Sequence, residues 1–120
     1  MNNYFENPAY RQAFFEDTDR IMAGFQNDFA LLPADPDNQD LLKNIRRYAH
    51  SLKGLFAMME LVDYQQTALH LELALAQSLQ ADAPRIDQNK LDEIKNGFDQ
   101  IGAALQHLKD TTPGKPPGET

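Results

Sequence analysis

Apolar residues return along most of this 120-residue chain at steps of three and four, the spacing that lines one face of an α-helix, and no stretch shows a convincing strand alternation. Four segments carry the pattern. The first runs from about Pro8 to Leu32, with Phe14, Ile21, Phe25, Phe29 and Leu32 on one face. It ends at "LLPADPDNQD", where two prolines stop the helix and Asp37 or Asn38 offers a side-chain oxygen as N-cap of the next. That second helix carries Leu42, Ile45, Ala49, Leu52, Phe56 and Met59 as its stripe. The third is predicted to begin after Asp63, capped by that side chain with Gln66 as its capping-box partner, and to hold Ala68, Leu69, Leu73, Leu75, Ala76 and Leu79. Beyond "QADAPRIDQ" a fourth starts near Asp87, with Leu91, Ile94, Phe98, Ile101, Leu105 and Leu108 in a regular row.

Amphipathic helices of this length joined by short loops predict an all-α fold, an antiparallel four-helix bundle over residues 1–110. The first segment is long enough to divide into a short extra N-terminal helix and a longer one. Residues 111–120, "TTPGKPPGET", have no apolar side chain to bury and are expected to form a disordered tail or a linker.

Composition narrows the classes of function. With 42% apolar and 24% charged residues in 13.6 kDa, there is room for one domain around one core. The net charge of -7 and a pI near 4.7 argue against a nucleic-acid partner, which calls for clustered Lys and Arg. Without cysteine there is neither a disulfide framework nor a thiolate metal site. No apolar run approaches the ~20 residues of a membrane span, and "MNNYFENPAY" lacks the order of a signal peptide. A cytoplasmic monomer without a membrane partner is expected.

One stretch breaks the ordinary pattern. In "YAHSLKGLFAMM" the second helix carries His50, then Lys53, then Gly54, which costs a helix roughly 1 kcal/mol against alanine. On a helical wheel His50 falls roughly 130° from the centre of the apolar stripe, so its ring is expected in solvent. Lys43, Arg46, Arg47, Lys53, Gly54 and Ala57 lie within a turn or two of it. A charged row is usually just a solvated face, and for the arginines alone that reading suffices. The small residues Gly54 and Ala57, clearing space beside an imidazole, point instead to a functional histidine. On the third helix Glu72 interrupts the line Ala68, Leu75, Leu79. Taken alone it is a boundary glutamate reaching for water. Facing the second helix, it could accept the Nδ1–H of His50 and leave Nε2 as a free nucleophile.

The stretch "AHSLKG" resembles the phosphoacceptor signature of histidine-containing phosphotransfer (HPt) domains, and the likeness extends from "FFEDTDRIM" to about Leu79. It looks closest to the N-terminal HPt domain of CheA-type chemotaxis kinases. The resemblance implies a four-helix bundle in which His50 is phosphorylated on Nε2, Lys53 steadies the phosphoryl oxygens and Glu72 orients the ring. It also implies that Arg46, Arg47, Gly54 and Ala57 meet a response-regulator receiver domain, with Leu55 or Met58 at the edge, and that a histidine kinase catalytic domain is the other partner. The chain departs from the family's common pattern at Glu60, where a glycine is usual, at Leu55 and Phe56, where small residues are usual, and at Leu69, where CheA-type domains often carry a second histidine. His70 is adjacent to that position but on another face.

No "GxxxxGK" loop is present, so the expectation is a phosphoryl carrier with no ATP site and no cofactor of its own, its magnesium supplied by partners. A metal-binding bundle is disfavoured because no Glu-x-x-His pair occurs. His107 reads as a residue near the last helical turn that suits the helix dipole. The remaining alternative is an interaction module that docks a signalling partner and never carries phosphate.

Overall fold

The computed structural model describes residues 7–80 and 87–111, so the expected loop at 81–86 and the tail from 112 lie outside the described residues. Four helices follow in order: α1 (Pro8–Leu31), α2 (Gln39–Met58), α3 (Val62–Gln80) and α4 (Gln88–Thr111), with one 3-10 turn, Leu32–Ala34, after α1. Each start has a local cause. Asn7 accepts from the Ala9 and Tyr10 amides at 3.0 and 3.4 Å, and Pro8 occupies the first helical position, where its missing N–H costs nothing. Of the two candidate caps for α2, Asn38 serves, accepting from the Leu41 amide at 3.1 Å. Asp87 does the same for α4 through the Lys90 amide at 2.8 Å.

Side-chain pairings show that neighbouring helices run antiparallel. Phe14 meets Phe56 while Asp28 meets Tyr48. Phe56 meets Tyr64 while His50 meets Glu72. Across α1 and α4, Phe25 stacks on Phe98 and Lys109 reaches Asp19. The α2 stripe is buried in full, from Leu42 through Met59, and α4 buries Ile94, Phe98, Ile101 and Leu105. Burying a large side chain of this kind contributes roughly 1.5–3 kcal/mol, so these rows hold the bundle together.

Three details differ from the expectation. First, α1 does not divide into a short and a longer helix: it is continuous over the described residues, because Thr18 fills the core position between Phe14 and Ile21 and returns its hydroxyl to the Phe15 carbonyl at 3.2 Å. Second, α3 starts at Val62, so Asp63 lies inside its first turn rather than capping it. The reason is the tightness of the preceding connection. The Leu61 amide bonds the Phe56 carbonyl at 2.8 Å and the Glu60 amide bonds the Ala57 carbonyl at 3.1 Å, with Glu60 left-handed at φ 61°. This is a Schellman closure of α2, and Leu61 accepts at once from the Gln65 amide at 2.9 Å to begin α3. Third, α3 buries Ala68, Leu71, Ala74 and Leu75, whereas Leu73 is 51% exposed and Leu69, Ala76 and Leu79 are half-buried. Leucine recurs on nearly every side of α3, so periodicity alone does not select its inward face.

Glu60 stands at the residue where glycine is usual in the resembled family, and the backbone there explains the preference. A left-handed conformation costs an L-residue roughly 1–2 kcal/mol, partly offset by the greater unfolded-state freedom of glycine. Glu60→Gly is therefore expected to raise stability by about 1 kcal/mol in chemical denaturation. An unchanged or lowered midpoint would contradict this account.

Candidate functional site

The middle of α2 presents His50 to solvent because the residues before and after it in the stripe, Ala49 and Leu52, turn the opposite side of the helix inward. The ring is not loose. Its Nδ1 lies 2.7 Å from Oε2 of Glu72 on α3, and Nζ of Lys53 lies 2.6 Å from the other oxygen, Oε1. The three side chains grade from open to covered: His50 is 64% exposed, Lys53 27% and Glu72 13%. One carboxylate thus holds two cationic or proton-donating groups set a single turn apart on the facing helix, which is where residues at i and i+3 project together.

The electrostatics follow from this arrangement. Burial pushes the Glu72 carboxyl upward, but hydrogen bonds from Lys53 and His50, with the charge attraction of the same groups, outweigh it and hold the pKa below the ordinary 4.5. An ionised carboxylate can only accept, so Nδ1 of His50 must carry the proton that Glu72 receives. In the neutral ring that places the free lone pair on Nε2, at the open edge of the imidazole. A carboxyl whose folded pKa is depressed contributes stability above its unfolded pKa and loses it as pH falls through the folded one. The stability advantage of the native chain over Glu72→Gln should therefore be full at neutral pH, narrow below about pH 4.5 and disappear in stronger acid. Denaturation midpoints of the two proteins over that range check it; a gap that persists unchanged in acid would contradict the pairing.

The other residues singled out in the sequence divide clearly. Arg46 and Arg47 are exposed one turn before His50, and Gly54 and Ala57 are exposed after it. A Cβ built on Gly54 meets nothing within 4 Å, so that surface is open. Met58 is 56% exposed, but Leu55 is half-buried against the core and does not stand free at the edge of the ridge. His70 lies in an open groove between α3 and α4 with Asn89, Asp92 and Glu93, apart from His50. Among the described residues no group of three or more His, Cys, Asp or Glu is placed to hold a metal ion, and no helix is long and apolar enough to cross a membrane.

Two features of the site are not evident from helix spacing. Lys53 is committed to Glu72, a contact that depends on how α3 is rotated. Behind the ridge, the Tyr48 hydroxyl donates to Asp28 at 3.1 Å, and the ring crosses α1 over Gly24, where a Cβ would come within 2.8 Å of it. The close crossing locks α2 to α1.

A helical bundle that presents an exposed imidazole, held from behind by a largely covered carboxylate, is an arrangement able to offer a ring nitrogen to a partner. The family model of the Hpt domain matches residues 9–110, and the chain belongs to that family. It is a histidine phosphotransfer domain of two-component signalling, a carrier of phosphoryl groups. The chain is 29% identical over 102 residues to the chemotaxis protein CheA of Halobacterium salinarum, a match that covers 85% of this chain and spans 15% of the length of that relative. Its fold is like that of the CheA phosphotransferase domain from Thermotoga maritima, with a TM-score of 0.77 and 22% identity over 83% of this chain and 94% of the other.

Proposed function

We propose that His50 is the phosphoacceptor and that the phosphoryl group is carried on Nε2. The observation that carries this reading is the single hydrogen bond from Nδ1 to a largely covered, ionised Glu72, which leaves Nε2 as the exposed nucleophile. In the acceptance step the Nε2 lone pair attacks phosphorus, the Nε2–P bond forms and the donor's P–O bond breaks. Positive charge develops on the ring, and the Glu72 carboxylate beside Nδ1–H offsets it. In the return step a receiver aspartate oxygen attacks phosphorus and the Nε2–P bond breaks. Because Glu72 keeps the Nδ1 proton on the ring, the leaving group is neutral imidazole rather than an imidazolate. The partners supply the magnesium and the nucleotide chemistry. The likeness to chemotaxis proteins supports a CheA-type catalytic domain as donor.

Lys53 has a double role in this reading. It holds Glu72 in position, and its ammonium, with three donors and one engaged, remains available to a phosphoryl group bearing roughly -1.5 to -2 charges. Arg46 and Arg47 meet the acidic face of the receiver, and Gly54 and Ala57 let it approach. Phosphorus NMR of the phosphorylated chain tests the assignment: one resonance of the Nε2-linked type is expected, and an Nδ1-linked signal or a phosphate on His70 would overturn it. Glu72→Ala should slow acceptance roughly tenfold to a hundredfold without abolishing it, since the nucleophile stays and its orientation is lost.

A further inference from the structure

Glycine costs a helix stability, so a glycine in the middle of one calls for a reason. Helix α4 holds two, Gly97 and Gly102. At Gly102 an added Cβ would meet only the end of Met22, at 3.7 Å, an ordinary contact. At Gly97 it would come within 2.5 Å of Cδ2, 2.9 Å of Cγ and 3.2 Å of Cδ1 of Leu71 on α3. Both residues line the groove between α3 and α4, but Leu71 is only 4% exposed, so swinging it out into that groove would put a core side chain into water. Retreat of α4 would lift Ile94, Phe98 and Ile101 from the core. It would also part the Phe98 ring from Phe25, on which it stacks with centroids 3.5 Å apart. What is left to give way is α3 itself.

We infer that Gly97 and Leu71 are positioning residues for phosphoryl acceptance: the bare backbone of α4 seats Leu71, and that seat sets the rotation of α3 that aims Glu72 at His50 and Lys53. The inference rests on His50 being the phosphoacceptor. Leu71 and Glu72 are chain neighbours in one helix, so a turn of α3 that frees Leu71 carries Glu72 through the same angle. A glutamate carboxylate stands roughly 6 Å from its helix axis, so a turn of about 10° moves it about 1 Å. Its bonds to His50 and Lys53 are 2.7 and 2.6 Å long. Lengthening either by about 1 Å takes it beyond hydrogen-bonding reach. A change of rotamer does not restore both, because the two partners hold the two oxygens separately and a torsion that shortens one bond lengthens the other. One methyl group on α4 is therefore felt, through α3, by the imidazole on α2.

Two measurements on the full chain test the seat. Nitrogen-15 NMR of the unphosphorylated chain at neutral pH reads which ring nitrogen of His50 holds the proton: Nδ1 in the native chain and in Gly102→Ala, a mixture of both in Gly97→Ala. The second is the rate of phosphorylation by phosphoramidate, a small donor whose P–N bond breaks and releases ammonia as the Nε2–P bond forms, so that no partner docking enters. Gly97→Ala is expected to slow it about fivefold or more, within the loss shown by Glu72→Ala, while Gly102→Ala stays within about twofold of native. In a Glu72→Ala background the Gly97→Ala change should alter the rate by less than about twofold, because the carboxylate through which it acts is gone. Leu71→Ala removes all three atoms that the new methyl would meet, and combined with Gly97→Ala it should restore the native tautomer and most of the rate. A native tautomer and native rate in Gly97→Ala would overturn the seat. So would an equal slowing with and without Glu72, since the effect would then not pass through the carboxylate. Absence of phosphate from His50 of the native chain would overturn the acceptor reading and the role in acceptance with it, whereas normal uptake there with Gly97→Ala unaltered removes the seat alone.

Discussion

Replacing His50 with glutamine is expected to abolish acid-labile phosphate on the chain while leaving its thermal midpoint nearly unchanged. The two halves of that result have separate causes. Glutamine has no nucleophilic ring nitrogen, so no Nε2–P bond can form at the position that Glu72 contacts. The stability half follows from exposure: the ring is 64% open to solvent, and a surface substitution of this kind costs on the order of 0.5 kcal/mol. A modest loss is expected from Glu72, which keeps Lys53 but gives up its bond to the imidazole. Phosphate incorporation measured by mass spectrometry after labelling decides the matter. Residual acid-labile phosphate at the native level would move the acceptor to another residue.

The Gly54→Phe variant should fold at least as well as the native chain and yet fail to pass phosphate to a receiver. Three glycines inside the helices make the contrast clear. At Gly24 and Gly97 an added Cβ would come within 2.8 Å of Tyr48 and 2.5 Å of Leu71, so close packing requires the bare backbone there. At Gly54 nothing lies within 4 Å, and the helix itself would gain up to about 1 kcal/mol from a side chain. Packing within the bundle gives no reason for glycine at that point, one turn beyond the histidine. Space for an approaching partner does. A phenylalanine would occupy the volume that the receiver needs and block transfer by steric exclusion, whereas Gly54→Ala should raise the denaturation midpoint and slow transfer only in part. A normal transfer rate from well-folded Gly54→Phe would place the docking surface elsewhere.

Much of the molecule was legible before any coordinates. The stripes of α2 and α4 alternate in steps of three and four with polar residues between, so their inward faces are determined by the one-dimensional pattern. The starts of α2 and α4 were also legible, at Asp37 or Asn38 and near Asp87, because the cap hydrogen bonds that Asn38 and Asp87 make act within three residues of themselves. The exposure of His50 follows from the same α2 stripe, since a helix that buries Ala49, Leu52 and Phe56 must turn residue 50 outward.

What the tertiary structure decided concerns α3 and everything that depends on its rotation. With leucines at 69, 71, 73, 75 and 79, several inward faces are nearly equal in local terms. The choice is made by contacts from far along the chain, among them Leu71 against Gly97 on α4 and Tyr64 against Phe56 on α2. That choice aims Glu72 at both His50 and Lys53, turns Leu73 into solvent and half-buries Leu69. The sequence by itself therefore determined which helices form and which residue could be the nucleophile, because those are properties of short segments. Glu72 was named from the sequence as the carboxylate facing His50, but its second contact, to Lys53, and the exposure of Leu73 were decided by long-range packing, because a helix apolar on nearly every side acquires a unique orientation only from its neighbours.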